Sequence, residues 1–317
     1  MAINTMSNND EKSLSKVSIG MPTYNGAKFI SAAIESILSQ KYTYFELIIS
    51  DDASTDETEE IVMKYCRDDL RIKYIRQQEN IGANQNFKKV LEAATGEYFM
   101  FASQDDTFSS NWLSGLISSL RGTNNCASFG STIYIDEIGN TINSTANKIY
   151  FKFGENNGLR RVKFLFTPHL TGKMILLYSI FPTALIRNLC INDTKITGIK
   201  SEDLHFIFLT LTKMKYIPVK GCYLYKRVHS ESDSARNSYA KKINGSILKT
   251  DDESIYSNSF FKKLMRMLFP VIELTNYIKK LSKSEMFLAI ITAPFFLPYH
   301  AIYGIYLMLR KKVNDVV

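Results

Sequence analysis

The chain has 317 residues, with 39 Lys+Arg against 31 Asp+Glu for a formal net charge of +8, and 45% hydrophobic and 22% charged residues. That composition excludes wholesale disorder, collagen and coiled coil, and the length suits one large α/β domain or two small ones around a sizeable core. A basic balance points to nucleic acid, an anionic membrane surface or a phosphate-bearing substrate, and the position of the charge has to choose among them.

Residues 1–16 are polar, lack an apolar run and read as a disordered tail without a secretory signal peptide. VSIGMPTYN (17–25) is an apolar run ending in Pro and Asn, a buried strand and its loop. Between Lys28 and Gln40 the apolar residues Phe29, Ile30, Ala33, Ile34, Ile37 and Leu38 follow the spacing of a helix with one buried face. FELIIS (45–50) predicts a second strand, followed by the acidic loop DDASTD (51–56). A helix is expected from Glu57 to Tyr65, with Thr55 or Asp56 as N-cap. RIKYIRQ (71–77) predicts a third strand, Asn84 to Ala94 a helix closed by Gly96, and EYFMFAS (97–103) a fourth strand. This alternation predicts a parallel sheet with right-handed helical crossovers, whose ligands bind outside the carboxyl ends of the strands. The loops TYNG, DDASTD and SQDD should therefore gather along one edge.

Beyond Trp112, read as a packing residue rather than an acceptor-stacking one, SFGSTIYIDEIGNTI (128–142) suggests two short strands around a turn. SEDLHFIFLTLTKM (201–214) suggests a helix capped by Ser201, YIPVKGCYLYKRVH (216–229) suggests strands, and 231–259 a polar linker. No GxGxxG follows the first strand and no GxxxxGK[ST] occurs, so dinucleotide and P-loop chemistry are poorly supported. Cys66, Cys126, Cys190 and Cys222 are dispersed without zinc spacing and read as reduced thiols.

Asp51-Asp52 and Asp105-Asp106 each end a predicted strand. Neighbouring carboxylates at a ligand edge repel unless a cation lies between them, and such oxygen donors suit Mg²⁺ or Mn²⁺ shared with phosphates. The stretch 17–120, through VSIGMPTYNG, SILSQKYTYFELIISDDASTDET and ENIGANQNFKKVLEAATGEYFMFASQDD, resembles the family 2 glycosyltransferases of the GT-A fold, a Rossmann-like mixed sheet. The resemblance implies that Pro22, Thr23, Tyr24, Asp51 and Asp52 hold the donor's base and ribose. It also implies that the DxD-type motif falls on Ser103, Gln104, Asp105 and Asp106, with Asp105 and Asp106 facing metal and diphosphate. Where many members carry an acid, this chain has Ser103, so one carboxylate fewer.

In the second half, 121–230, the resemblance places the general base on the Glu202-Asp203 pair at a helix start, with Asp203 favoured. It also places Arg227 and His229, within YKRVHSESDS, at the metal or diphosphate. The implied reaction is a single inverting displacement. Asp203 takes the acceptor's proton, and Mn²⁺ or Mg²⁺ offsets charge on the departing diphosphate. The expected donors are a UDP-sugar or dTDP-rhamnose, and the expected acceptor a lipid-linked saccharide of a surface polysaccharide. The alternatives are transfer to a protein or a small lipid, or a non-catalytic scaffold that binds sugar nucleotides.

Residues 286–309 carry no Asp, Glu, Lys or Arg and are long enough to span a bilayer. Pro294 and Pro298 interrupt them, and cations flank both ends, which favours a re-entrant or interfacial hairpin over a simple span. Residues 260–317 hold 9 Lys+Arg and 3 Asp+Glu, against 30 and 28 in the rest of the chain. The positive charge thus belongs mostly to the apolar tail. This predicts a membrane-associated segment over 260–317 at the cytoplasmic face of the plasma membrane. No nucleic-acid partner is expected, because the predicted ligand edge is acidic and carries no recognition motif.

Overall fold

The computed structural model describes residues 14–144, 147–150, 160, 164, 173–192 and 202–229. They fall almost wholly in one compact unit, Met1–Lys152 with Met174–His229, so the two predicted halves share it. The linker at 231–259 and the apolar tail at 260–317 lie outside the described residues. Among those described, no helix is long and apolar enough to cross a membrane.

The first half alternates as its periodicity requires: β1 (Val17–Thr23), α1 (Ile30–Leu38), β2 (Phe45–Asp51), α2 (Thr58–Asp68), β3 (Ile72–Arg76), α3 (Ala83–Ala93) and β4 (Tyr98–Phe101). Then come β5 (Thr107–Phe108), α4 (Trp112–Leu120), β6 (Cys126–Ile135), a 3₁₀ turn at Lys173–Tyr178 and β7 (Phe181–Pro182). Helices α5 (Thr183–Asn192) and α6 (Glu202–Lys213) precede the long final strand β8 (Lys215–Arg227).

Five strands form a sheet in the order β3-β2-β1-β4-β7, parallel except for β7, which pairs antiparallel with β4. The order reverses between β1 and β4, and a crevice opens outside the carboxyl ends of such a pair. Every residue of β2 is buried, which accounts for the apolar residues Phe45, Leu47, Ile48 and Ile49 on both of its faces. On β3, at the sheet edge, only Ile72 is buried. Gly20 in β1 has no room for a side chain: a Cβ there would meet Phe99 Cζ at 2.6 Å and Val90 Cγ2 at 2.7 Å. Trp112 is fully buried, its indole N–H 3.0 Å from Met100 Sδ, so it packs the core.

A second, three-stranded sheet has the order β5-β8-β6. Here the sequence expectation needs correction. Residues 128–142 form one long strand, β6, and a turn closed by the isolated bridge Ile135↔Thr141, not two paired strands. β6 instead spends its hydrogen bonds on β8, in parallel, with a register irregularity between Phe129 and Ser131.

At the amino-terminal end of the main sheet, Glu46 is buried and accepts from Ser18 Oγ (2.6 Å), Thr95 N (2.8 Å) and Thr95 Oγ1 (2.6 Å). Lys73 and Lys16 reach its other oxygen at 2.6 and 3.2 Å. Burial alone would raise the Glu46 pKa, but the bonds from Lys73, Ser18 and Thr95 outweigh it and hold the carboxyl far below its ordinary value.

Candidate active site

The three loops expected to share an edge do so, and side chains latch them together. After β1, Asn25 takes a left-handed φ of 48°, and its backbone N–H donates to Ser54 Oγ of the β2 loop at 2.9 Å. Gly26 N donates to Thr58 Oγ1 (2.8 Å) and Ala27 N to Asp56 Oδ2 (3.0 Å), while Asn25 Oδ1 accepts from Thr55 N (2.9 Å). Asp56 also accepts from Thr58 N at 3.1 Å, but the N-cap position of α2 falls on Glu57, whose side chain makes no capping bond, rather than on Thr55 or Asp56 as the sequence suggested. Ala53 in the β2 loop also has a left-handed φ, 58°, a conformation that a non-glycine residue adopts only when its surroundings impose it.

Asp51 and Asp52 answer their mutual repulsion with protein donors. Asp51, with 0% exposure, accepts from Ser54 N (2.8 Å) and Ser54 Oγ (2.5 Å) through one oxygen and from Tyr74 OH (2.6 Å) through the other. Asp52, with 2% exposure, accepts from Ile81 N (2.7 Å) and Gly82 N (3.0 Å) at the start of α3, where the helix dipole favours an anion. Burial phenol-side first, then the Asp51 bond, push the Tyr74 hydroxyl well above its ordinary pKa, so it remains the donor. Above these carboxylates, Pro22 is half-buried, Thr23 is buried and Tyr24 is 46% exposed.

Gln104 closes the β1 loop onto the acidic loop. Its Oε1 accepts from Thr23 Oγ1 and from Tyr24 N (3.0 Å), and its Nε2 donates to Tyr24 O at 3.2 Å. A Cβ at position 26 would lie 2.6 Å from the same Oε1, so the TYNG glycine is where the Gln104 side chain sits.

The next two residues diverge. Asp105 Oδ2 lies 3.0 Å from His229 Nε2, and Oδ1 accepts from Ser103 Oγ at 3.3 Å. Asp106, only 3% exposed, accepts from Arg227 N (2.9 Å) and Tyr178 OH (3.0 Å), with Lys226 Nζ 4.0 Å away. Burial pushes its carboxyl above the ordinary value, against the Lys226 charge. Arg227 spans the site: Nε donates to Asp105 O (3.0 Å) and Nη1 to Asp136 O (3.2 Å) and Glu137 O (2.7 Å). Its guanidinium lies 5.0 Å from the Phe29 ring centroid, and the His229 ring is 4.7 Å from the same ring.

Of the residues singled out from sequence, Pro22, Thr23, Tyr24, Asp51, Asp52, Asp105, Asp106, Arg227 and His229 gather along this edge. Asp203 stands exposed in the first turn of α6, and the side chain of Glu202 lies outside the described ones. One turn further on, Phe206 packs edge-on against Phe101 (5.7 Å) and Phe181 (5.5 Å), which fixes the start of α6 beside the carboxyl end of β4. Phe29, Tyr178 and Lys226 were not recognised as site residues from sequence, and Gln104 was named only as a member of the DxD-type motif. Phe29 reads there as one member of an apolar helix face, and nothing in its spacing separates it from the others.

Two ligands about 2.1 Å from an octahedral ion lie about 3 Å apart, so the 3.0 Å separation of Asp105 Oδ2 and His229 Nε2 fits adjacent positions around one divalent cation. Among the described residues no group of three or more His, Cys, Asp or Glu side chains converges on a point. Asp105 and His229 are thus the two side chains that this edge could offer such an ion.

A family profile described as glycosyl transferase family 2 matches residues 18–179. A putative teichuronic acid biosynthesis glycosyltransferase of Bacillus subtilis is 40% identical over 90 residues, covering 28% of this chain and 36% of its own. A Campylobacter jejuni protein named GalNAc(5)-diNAcBac-PP-undecaprenol beta-1,3-glucosyltransferase is 39% identical over 103 residues, covering 32% and 33%. The chain thus spans about a third of the length of the curated relatives it matches. Among solved structures, S. aureus TarS in complex with UDP-GlcNAc superposes with a TM-score of 0.53 at 22% identity, over 71% of this chain and 61% of that one. The α/β mixed-sheet fold is common to both.

Proposed function

Because the chain belongs to glycosyl transferase family 2, we propose that it transfers a sugar, with inversion, from a nucleotide-diphosphate donor to a hydroxyl of a lipid-linked saccharide in surface polysaccharide synthesis. The observation that carries this reading is the meeting of Asp105 and His229 at 3.0 Å on the crevice edge of the sheet, beside the latched β1 and β2 loops. Pro22, Thr23 and Tyr24, resting on Asp51 and Asp52, take the donor's base and ribose. The UDP-GlcNAc complex of the structural neighbour favours a UDP-sugar over dTDP-rhamnose. The undecaprenol acceptor named for the Campylobacter relative favours a lipid-linked one.

Asp105 and His229 would hold Mn²⁺ or Mg²⁺, which when bound offsets the charge that develops on the leaving diphosphate. Arg227 adds fixed positive charge at that end and braces the Asp105 carbonyl. Asp203, set in the first turn of α6, accepts the proton of the attacking hydroxyl, with the helix dipole stabilising its ionised form. Glu202 beside it completes the acidic pair. The excess of basic residues over 260–317, 9 Lys+Arg against 3 Asp+Glu, supports association of the chain with the cytoplasmic face of the plasma membrane, peripherally or through a re-entrant segment.

A panel of nucleotide sugars, with and without Mn²⁺, tests the reading by thermal protection and by product analysis. A UDP-sugar should protect in the presence of Mn²⁺ and be turned over. Asp203→Asn should lose turnover by about a thousandfold or more while retaining the protection. Absence of both protection and transfer across the panel would overturn the assignment.

A further inference from the structure

Adjacent acids at the end of a strand invite the assumption that both face the ligand, but the two carboxylates of the SQDD loop have different surroundings. β5 pairs antiparallel with β8 through Thr107↔Tyr225. Continued backwards, this register sets Asp106 against Lys226 and Asp105 against Arg227. Successive residues of an extended segment point to opposite faces. Accordingly Asp106 turns inward, where Arg227 N fills Oδ1 at 2.9 Å and Tyr178 OH fills Oδ2 at 3.0 Å. Lys226 Nζ, 4.0 Å from Oδ2 and 5.6 Å from the Tyr178 ring centroid, supplies the balancing charge. Asp105 turns outward, its side chain 21% exposed, towards His229.

We infer that Asp106 is a positioning residue rather than a ligand, clamped by Tyr178 and Lys226 so that the acidic loop and β8 present Asp105 and His229 to each other. The inference rests on the glycosyltransferase reading for its catalytic consequence, though not for its geometry. The clamp joins three distant parts of the chain: the acidic loop, the last residue of the 3₁₀ turn Lys173–Tyr178, and the end of β8. A buried carboxylate with both oxygens engaged and a cation alongside is costly to expose, so the loop cannot readily turn Asp106 outward. Asp106 N-terminal to β5 and Arg227 at the end of β8 also share one backbone-to-carboxylate bond, so releasing the carboxylate frees the strand end that carries His229.

The test uses the full chain with two variants, Tyr178→Phe and Asp106→Asn, read by amide hydrogen exchange and by steady-state kinetics. In both, exchange of the Arg227 amide should accelerate by about tenfold or more while the amides of β2 keep their rates. With the preferred donor, kcat should fall by about tenfold and donor KM should stay within about twofold, because the base and ribose end is untouched. Unchanged Arg227 exchange in both variants would overturn the inference. So would a lowered thermal midpoint with unchanged Arg227 exchange and unchanged kcat, which would reduce Tyr178 to a packing role. If the wild-type chain transfers no sugar from any donor, the proposed function fails, and the exchange arm still decides for or against the clamp.

Discussion

His229 Nε2 lies 3.0 Å from Asp105 Oδ2 although 124 positions separate the two residues in the chain. Neither is held alone: the His229 ring rests on Phe29, and Arg227 grips the carbonyl of Asp105 from the strand end that carries His229. If this pair is the protein's share of a metal site, His229→Ala and Asp105→Asn should each weaken Mn²⁺ binding by about tenfold or more, equivalent to about 1.4 kcal/mol. Electron paramagnetic resonance titration of free Mn²⁺ against each variant measures this directly. Wild-type affinity in either variant would remove that residue from the site.

Gln104 stands in a motif otherwise read for its acids, yet its amide fastens the acidic loop to Thr23 and Tyr24. Gln104→Ala should raise the dissociation constant for UDP by about three- to tenfold, since the β1 loop loses its preorganisation. The thermal midpoint should move little, because the latch lies at the surface. Calorimetric titration of UDP into the two proteins would show it, and equal affinities would mean that the loop holds its shape without the amide.

Glu46 tests stability apart from function. Its carboxyl is held below its ordinary value of 4.5 in the folded chain, so its contribution is fully present above that value. It is lost as the pH falls towards the lower folded value. Glu46→Gln should destabilise the protein by about 2 kcal/mol at pH 7, a figure kept low because Lys73 and Lys16 remain partly solvated. The gap between the thermal midpoints of wild type and variant should narrow between pH 5 and pH 3. A constant gap over that range would show that the charge of Glu46 contributes nothing.

Gly20 makes a purely steric prediction. An added methyl would press on Phe99 and Val90 at 2.6–2.7 Å, and both side chains are fully buried. Gly20→Ala should cost about 1–3 kcal/mol, lowering the thermal midpoint by several degrees. A midpoint within 1 degree of wild type would show that Val90 and Phe99 can yield.

The main sheet was legible because its signals are local. The apolar residues Phe45, Leu47, Ile48 and Ile49 of β2 and the Ala33–Ile34–Ile37 spacing of α1 each report burial within a few residues of themselves. The 128–142 segment misled because alternation and a turn look the same whether a strand pairs with its neighbour or with β8, some 90 residues later. The site divides in the same way. Its acids announce themselves by charge, and Arg227 and His229 entered through the family resemblance. Gln104, Tyr178 and Lys226 act through contacts that only the folded chain creates, and as residue types in a sequence they are unremarkable.

The order in which strands join the sheets bears on how the protein is made. When residue 120 leaves the ribosome, β1 to β4 can already pair, but β7, which covers the free edge of β4, lies 60 residues ahead. The partner of β5 is further still, in β8. An emerging chain therefore carries an open strand edge through the synthesis of its whole middle third, and such edges recruit other chains. The donor-side loops can take shape early, whereas the Asp105–His229 pair cannot exist until residue 229 has been added. That pair therefore becomes possible only after β7, the strand that covers the edge, has been made.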